Sequence, residues 1–98
     1  MAAKITRADA LFTIGYDGST ALVDRAARAQ FGSLGTRELA ERGLYRAAAA
    51  SAIRSGDPAE LALVADAYNR ASGGSYRPDA LARLFGVGEV VAQRVLAL

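Results

Sequence analysis

The sequence predicts an α+β domain, mostly helical, with an N-terminal two-stranded β-hairpin packed on a bundle of four to five short helices. Three observations carry this. Alanine supplies 23 of 98 residues, a composition that favours helix and lets helices approach closely. The stretch "ALFTIGYDGSTALVD" (10–24) is the one run of β-formers folded about a turn pair. Apolar residues then recur at helical spacing through the rest of the chain. At this length the expectation is one domain over residues 1–98.

In the hairpin (10–24), Asp17-Gly18 is a favoured pair for a two-residue type I′ turn. That register sets Tyr16 opposite Ser19, Ile14 opposite Ala21 and Phe12 opposite Val23. One face then collects Phe12, Ile14, Tyr16, Ala21 and Val23. A lone hairpin is marginal in water, so it must lie on helices or pair with a second copy.

Helices are expected at about 36–55, 57–72, 78–85 and 89–97. In the first, Thr36 begins a short helix and Gly43 interrupts it. Glu38, Arg42, Arg46, Ala50 and Arg54 fall four apart, a solvated stripe with a Glu38–Arg42 ion pair or a row of arginines tracking phosphates. The 57–72 helix has the clearest start: Asp57 as N-cap, Pro58 at the first helical position and Glu60 completing a capping-box-like pattern. Leu61, Val64, Ala65 and Tyr68 form its inward stripe. "SGGS" ends it, and Pro78 opens the final helical pair.

Composition narrows function. The chain has no cysteine and no histidine, which removes thiol nucleophiles, disulfides, thiolate metal sites and imidazole acid–base chemistry. No catalytic residues, cofactor or metal are expected, and a non-enzymatic role follows. The first residues lack a basic start followed by an apolar run, and no stretch reaches transmembrane length, so the expectation is a cytoplasmic protein without membrane attachment. Net charge is +2, too mild to imply nucleic acid by itself. The distribution is uneven: between residues 25 and 54, six arginines face only Glu38 and Glu41.

The stretch "LARLFGVGEVVAQRVL" (81–96) sets Leu84, Gly86, Val87, Gly88, Ala92 and Val95 in the pattern apolar-x-Gly-Val-Gly-x-x-x-Ala-x-x-apolar. This resembles a helix-hairpin-helix motif, over residues 79–97. The resemblance implies that the backbone amides of Gly86, Val87 and Gly88 point at a nucleic-acid phosphate in a sequence-nonspecific grip. Arg83 and Arg94, outside the family's usual contact positions, and Arg42, Arg46 and Arg54 are the cations expected to help. Glu89, Val90 and Val91 depart from the family's usual basic or small polar residues after the second glycine. The same stretch also fits a helix-turn-helix presenting Gln93 and Arg94 to a major groove, or a plain corner between two packed helices. "FGSLGTRELAERGL" (31–44) is a loose echo of the motif.

Two partner classes follow. One is nucleic-acid backbone, through the 86–88 turn. The other is a protein partner or a second copy of the chain, through the hairpin and the apolar last segment with Val90, Val91, Val95, Leu96 and Leu98.

Overall fold

The computed structural model describes residues 5–98 and is α+β and mostly helical. The elements run α1 (Arg7–Leu11), β1 (Thr13–Asp17), β2 (Thr20–Val23), α2 (Arg25–Phe31), α3 (Thr36–Glu41), α4 (Tyr45–Ser55), α5 (Pro58–Ser72), a 3-10 turn (Pro78–Ala80), α6 (Leu81–Phe85) and β3 (Arg94–Ala97). Where length suggests one domain, the chain divides into two compact units. The first combines the residues up to Ser33 with Glu89–Leu98, and the second is the intervening Leu34–Gly88.

The first unit is built on a three-stranded sheet in the order β1-β2-β3. β1 and β2 are antiparallel, while β3 runs parallel to β2. The expected 89–97 helix is therefore replaced: residues 94–97 are a strand, and 89–93 carry neither helix nor strand. The physical reason is the free edge of β2, which a helix would leave unpaired. Gln93 and Arg94 N–H donate to the Ser19 carbonyl (2.7 and 3.3 Å), and Leu98 N–H to that of Val23 (2.9 Å). β-Branched Val90, Val91 and Val95 suit an extended chain better than a short helix.

The hairpin forms, with its turn moved by one residue and its strand pairing by two. Asp17 pairs with Thr20 and Tyr16 with Ala21, so the two-residue turn is Gly18-Ser19. Gly18 has φ +58°, and no other residue type takes positive φ anywhere among the described residues, which fits a II′-like turn with glycine first. A bulge at Ile14 then restores the pairing of Thr13 with Val23. The predicted partners Ile14–Ala21 and Phe12–Val23 are thereby displaced. Ala21 and Val23 are fully buried as expected, but Ile14 and Tyr16 are exposed.

Two helices flank the hairpin in sequence. α1 starts at a capping box in which the Thr6 hydroxyl accepts from Asp9 N–H and the Asp9 carboxylate accepts from Thr6 N–H. α2 starts at Asp24, whose carboxylate accepts from Ala27 N–H at 3.0 Å. Phe12 and Phe31 rings meet at 6.5 Å.

The second unit is all helical, with Leu39, Ala48, Ala49, Ala52, Val64, Ala65 and Leu81 in its core. The alanine run of α4 allows this close packing. α3 and α4 are separate helices, because Gly43 takes φ +76° between them. Asp57 caps α5 through Ala59 N–H at 2.9 Å, and Gly73 closes it with φ +73°. Tyr68 is the hub of an aromatic cluster, its ring 5.2 Å from Tyr45, 5.6 Å from Tyr76 and 5.0 Å from Phe85.

Candidate interaction surface

The residues expected at the phosphate are divided between the two units. Arg94 belongs to the first unit, on β3, while Arg42, Arg46, Arg54, Arg83 and the Gly86–Gly88 turn belong to the second. The break at Gly43 also dissolves the expected arginine stripe: Arg42 lies at the end of α3, and Arg46 and Arg54 lie on α4. The Glu38 carboxylate reaches back to Gly35 N–H (3.5 Å), in a capping role, and Arg42 makes no ion pair with it.

The Gly86–Gly88 turn closes α6. Gly86 has φ +64°, its N–H donates to the Arg83 carbonyl (3.4 Å), and Val87 N–H donates to the Ala82 carbonyl (2.9 Å). This is a Schellman-like termination, in which backbone donors turn inward to satisfy the last helical carbonyls. Arg46 adds a guanidinium to the Phe85 carbonyl at 3.3 Å, a cation at the electronegative end of a helix. The helix that would bring an electropositive N-terminus to the turn is absent: residues 89–93 are neither helix nor strand, and 94–97 form β3.

The sheet of the first unit presents a different surface. Paired residues in neighbouring strands point to the same side. One side carries Thr13, Ala21 and Val23, all buried, together with half-buried Val95 and Ala97 and the exposed Tyr16 at its margin. The other side carries Gly15, Leu22 and Leu96 in one cross-strand row, and Asp17, Thr20 and Arg94 in the next. Leu96 is 50% exposed, Leu22 is half-buried, and Asp17 and Arg94 are exposed. Leu98, in step with Leu96, is 61% exposed. Gly15 is the low point of the row: a Cβ there would meet nothing within 4 Å.

The outer edge of β3 is guarded. Alternation turns the backbone groups of Val95 and Ala97 away from β2, and Arg25 at the start of α2 donates its Nη2 to the Ala97 carbonyl at 3.0 Å. A charged side chain over an edge carbonyl obstructs strand addition there. The open face therefore differs from the edge: it is apolar at its centre, charged at one end, and exposed at Leu96, Asp17 and Arg94.

The opposing charges of this face were legible only after the register was known. Asp17 and Arg94 lie 77 positions apart, and only the parallel pairing of Thr20 with Arg94 and the antiparallel pairing of Asp17 with Thr20 set them on one row. Among the described residues, no group of three or more acidic, cysteine or histidine side chains could hold a metal, and no helix is long and apolar enough to cross a membrane. No protein-family model, curated protein or solved structure matches the chain.

Proposed function

We propose that the chain is a small non-enzymatic interaction module that associates with a second copy of itself through the open face of the β1-β2-β3 sheet. The observation that carries this reading is the self-complementarity of the face. A two-fold axis parallel to the strands lays β1 of one copy over β3 of the other. Asp17 then meets the partner's Arg94, twice by symmetry. Leu22 meets its own symmetry mate, and Leu96 settles over the shallow Gly15 position. An isologous contact of this kind needs one patch to complement itself, and this row-by-row arrangement does.

The footprint is small. Three strands at about 4.8 Å spacing and four to five residues at about 3.3 Å cover roughly 200 Å² per copy. A standard stable interface uses about 800 Å² per partner. The association expected is weak and concentration-dependent, with the charge pairs setting orientation more than strength.

Sedimentation of the full chain over a wide concentration range tests the reading. Reversible dimerisation is expected, abolished by Leu96→Asp. Asp17→Arg and Arg94→Asp should each weaken the dimer, and the double exchange Asp17→Arg/Arg94→Asp should restore it. All three residues are exposed, so these variants should keep their fold. A chain that stays monomeric at about 1 mM, or a dimer indifferent to Leu96→Asp, would remove the proposal.

A further inference from the structure

Within the helical unit, α3, α4 and α5 border an open cleft of about 390 Å³ that none of the preceding argument uses. That volume is near the lower end of the range for small-molecule sites, roughly 300–1,000 Å³. Ala40 of α3 and Leu63 and Ala67 of α5 give it an apolar floor. Arg37 and Glu41 line it from α3, and Arg70 from α5. Tyr45, at the start of α4, also lines it.

The charged groups are the informative part. Arg37 has Glu41 one turn along its own helix, and Arg70 has Asp66 one turn back, the spacing at which helical ion pairs form. Neither arginine makes an ion pair with any described residue, and neither does Glu41. Two guanidiniums and one carboxylate thus border the same cleft of mixed polarity without neutralising one another. Guanidinium is a planar donor fork suited to a carboxylate, and a lone carboxylate accepts from a hydroxyl or ammonium.

We propose that this cleft binds a small apolar carboxylic acid bearing a hydrogen-bond donor beside its carboxylate, the class of apolar α-amino and α-hydroxy acids. Arg37 and Arg70 hold the carboxylate, Glu41 accepts from the adjacent ammonium or hydroxyl, and the side chain lies on Ala40, Leu63 and Ala67. The site is independent of the sheet face, being made wholly from residues of the second unit.

Amide chemical-shift titration of the full chain decides the matter, with four probes: L-leucine, 4-methylpentanoate, L-leucine methyl ester and inorganic phosphate. L-leucine is expected to produce saturable shifts at Ala40, Leu63 and Ala67. The methyl ester, lacking the carboxylate, should not. 4-Methylpentanoate, lacking the donor, should bind more weakly than L-leucine, and Glu41→Gln should erase that difference. Arg37→Gln and Arg70→Gln should each weaken L-leucine binding about tenfold, the value of one charge-assisted contact. Both arginines are exposed, so the variants should fold, and their melting temperatures verify it. The proposal is overturned by the absence of saturable shifts up to about 20 mM L-leucine, by equal binding of the ester or of phosphate, or by undiminished binding in the arginine variants.

Discussion

Arg28 of α2 donates its Nη1 to the Asp9 Oδ1 of α1 at 2.6 Å, closing 19 residues of chain across the hairpin. The Asp9 side chain is 11% exposed and the Arg28 side chain 32%, so the pair is shielded on its acidic side. The same carboxylate caps α1 through Thr6 N–H. Burial raises the Asp9 pKa, but the hydrogen bonds from Arg28 and Thr6 and the Arg28 charge outweigh it, and the net direction is down from 3.8. A group whose folded pKa lies below its unfolded value adds stability above the unfolded value and loses it as pH falls through the folded one. Urea unfolding should therefore show a stability loss setting in below about pH 4. Asp9→Asn, which cannot ionise, should flatten that acid limb. At neutral pH Asp9→Ala should lower stability by about 1–3 kcal/mol. An unchanged acid limb in Asp9→Asn would mean that the pair contributes nothing to the pH response.

A second buried contact ties α3 to α4. The Thr36 and Ser51 hydroxyl oxygens lie 2.7 Å apart, in residues only 5% and 4% exposed. Ser51→Ala takes away the Thr36 hydroxyl's partner and should cost about 1–2 kcal/mol in chemical denaturation. Thr36→Val on top of it removes the stranded hydroxyl, so the double variant should be less destabilised than the sum of the singles by about 0.5–1 kcal/mol. Strict additivity would show that the two hydroxyls do not interact.

Local signals of helix ends were the most legible part of this sequence. Asp57-Pro58 and Gly43 act through backbone geometry within a few residues, and both do what their chemistry requires. The same kind of signal is present at α1, where Thr6 and Asp9 stand at capping-box spacing, and at α2, where Asp24 leads a helical run; neither is among the helices expected above. The hairpin was visible, but Asp17-Gly18 and Gly18-Ser19 are both acceptable turns, and the Ile14 bulge that lets the second win leaves no clear mark in the sequence. Residues 94–97 were the hardest. Four residues of mixed period read equally as the end of a helix or a strand, and the deciding factor is an edge 74 positions away. The open face is illegible for that reason, since it exists only once β3 has joined β2.

The final prediction separates the two roles of the Gly-Val-Gly turn. Gly86 has φ +64°, and a side chain there is strained by about 1–2 kcal/mol. Gly88 has ordinary backbone geometry, and a Cβ added there would meet nothing within 4 Å. In a turn whose work is to end α6, Gly86→Ala should destabilise by that amount, while Gly88→Ala should stay within about 0.5 kcal/mol. In a phosphate grip, both glycines would matter to binding, because a bulky residue at either would hold the nucleic acid off the amides. Fluorescence anisotropy of a labelled DNA duplex at about 50 and about 200 mM salt reads the second role directly. With the Gly86 and Val87 N–H groups already donating to Arg83 and Ala82 carbonyls, no steeply salt-dependent binding is expected. Micromolar binding at low salt, lost in Gly88→Glu with its fold retained, would show instead that the turn releases its amides to a phosphate backbone.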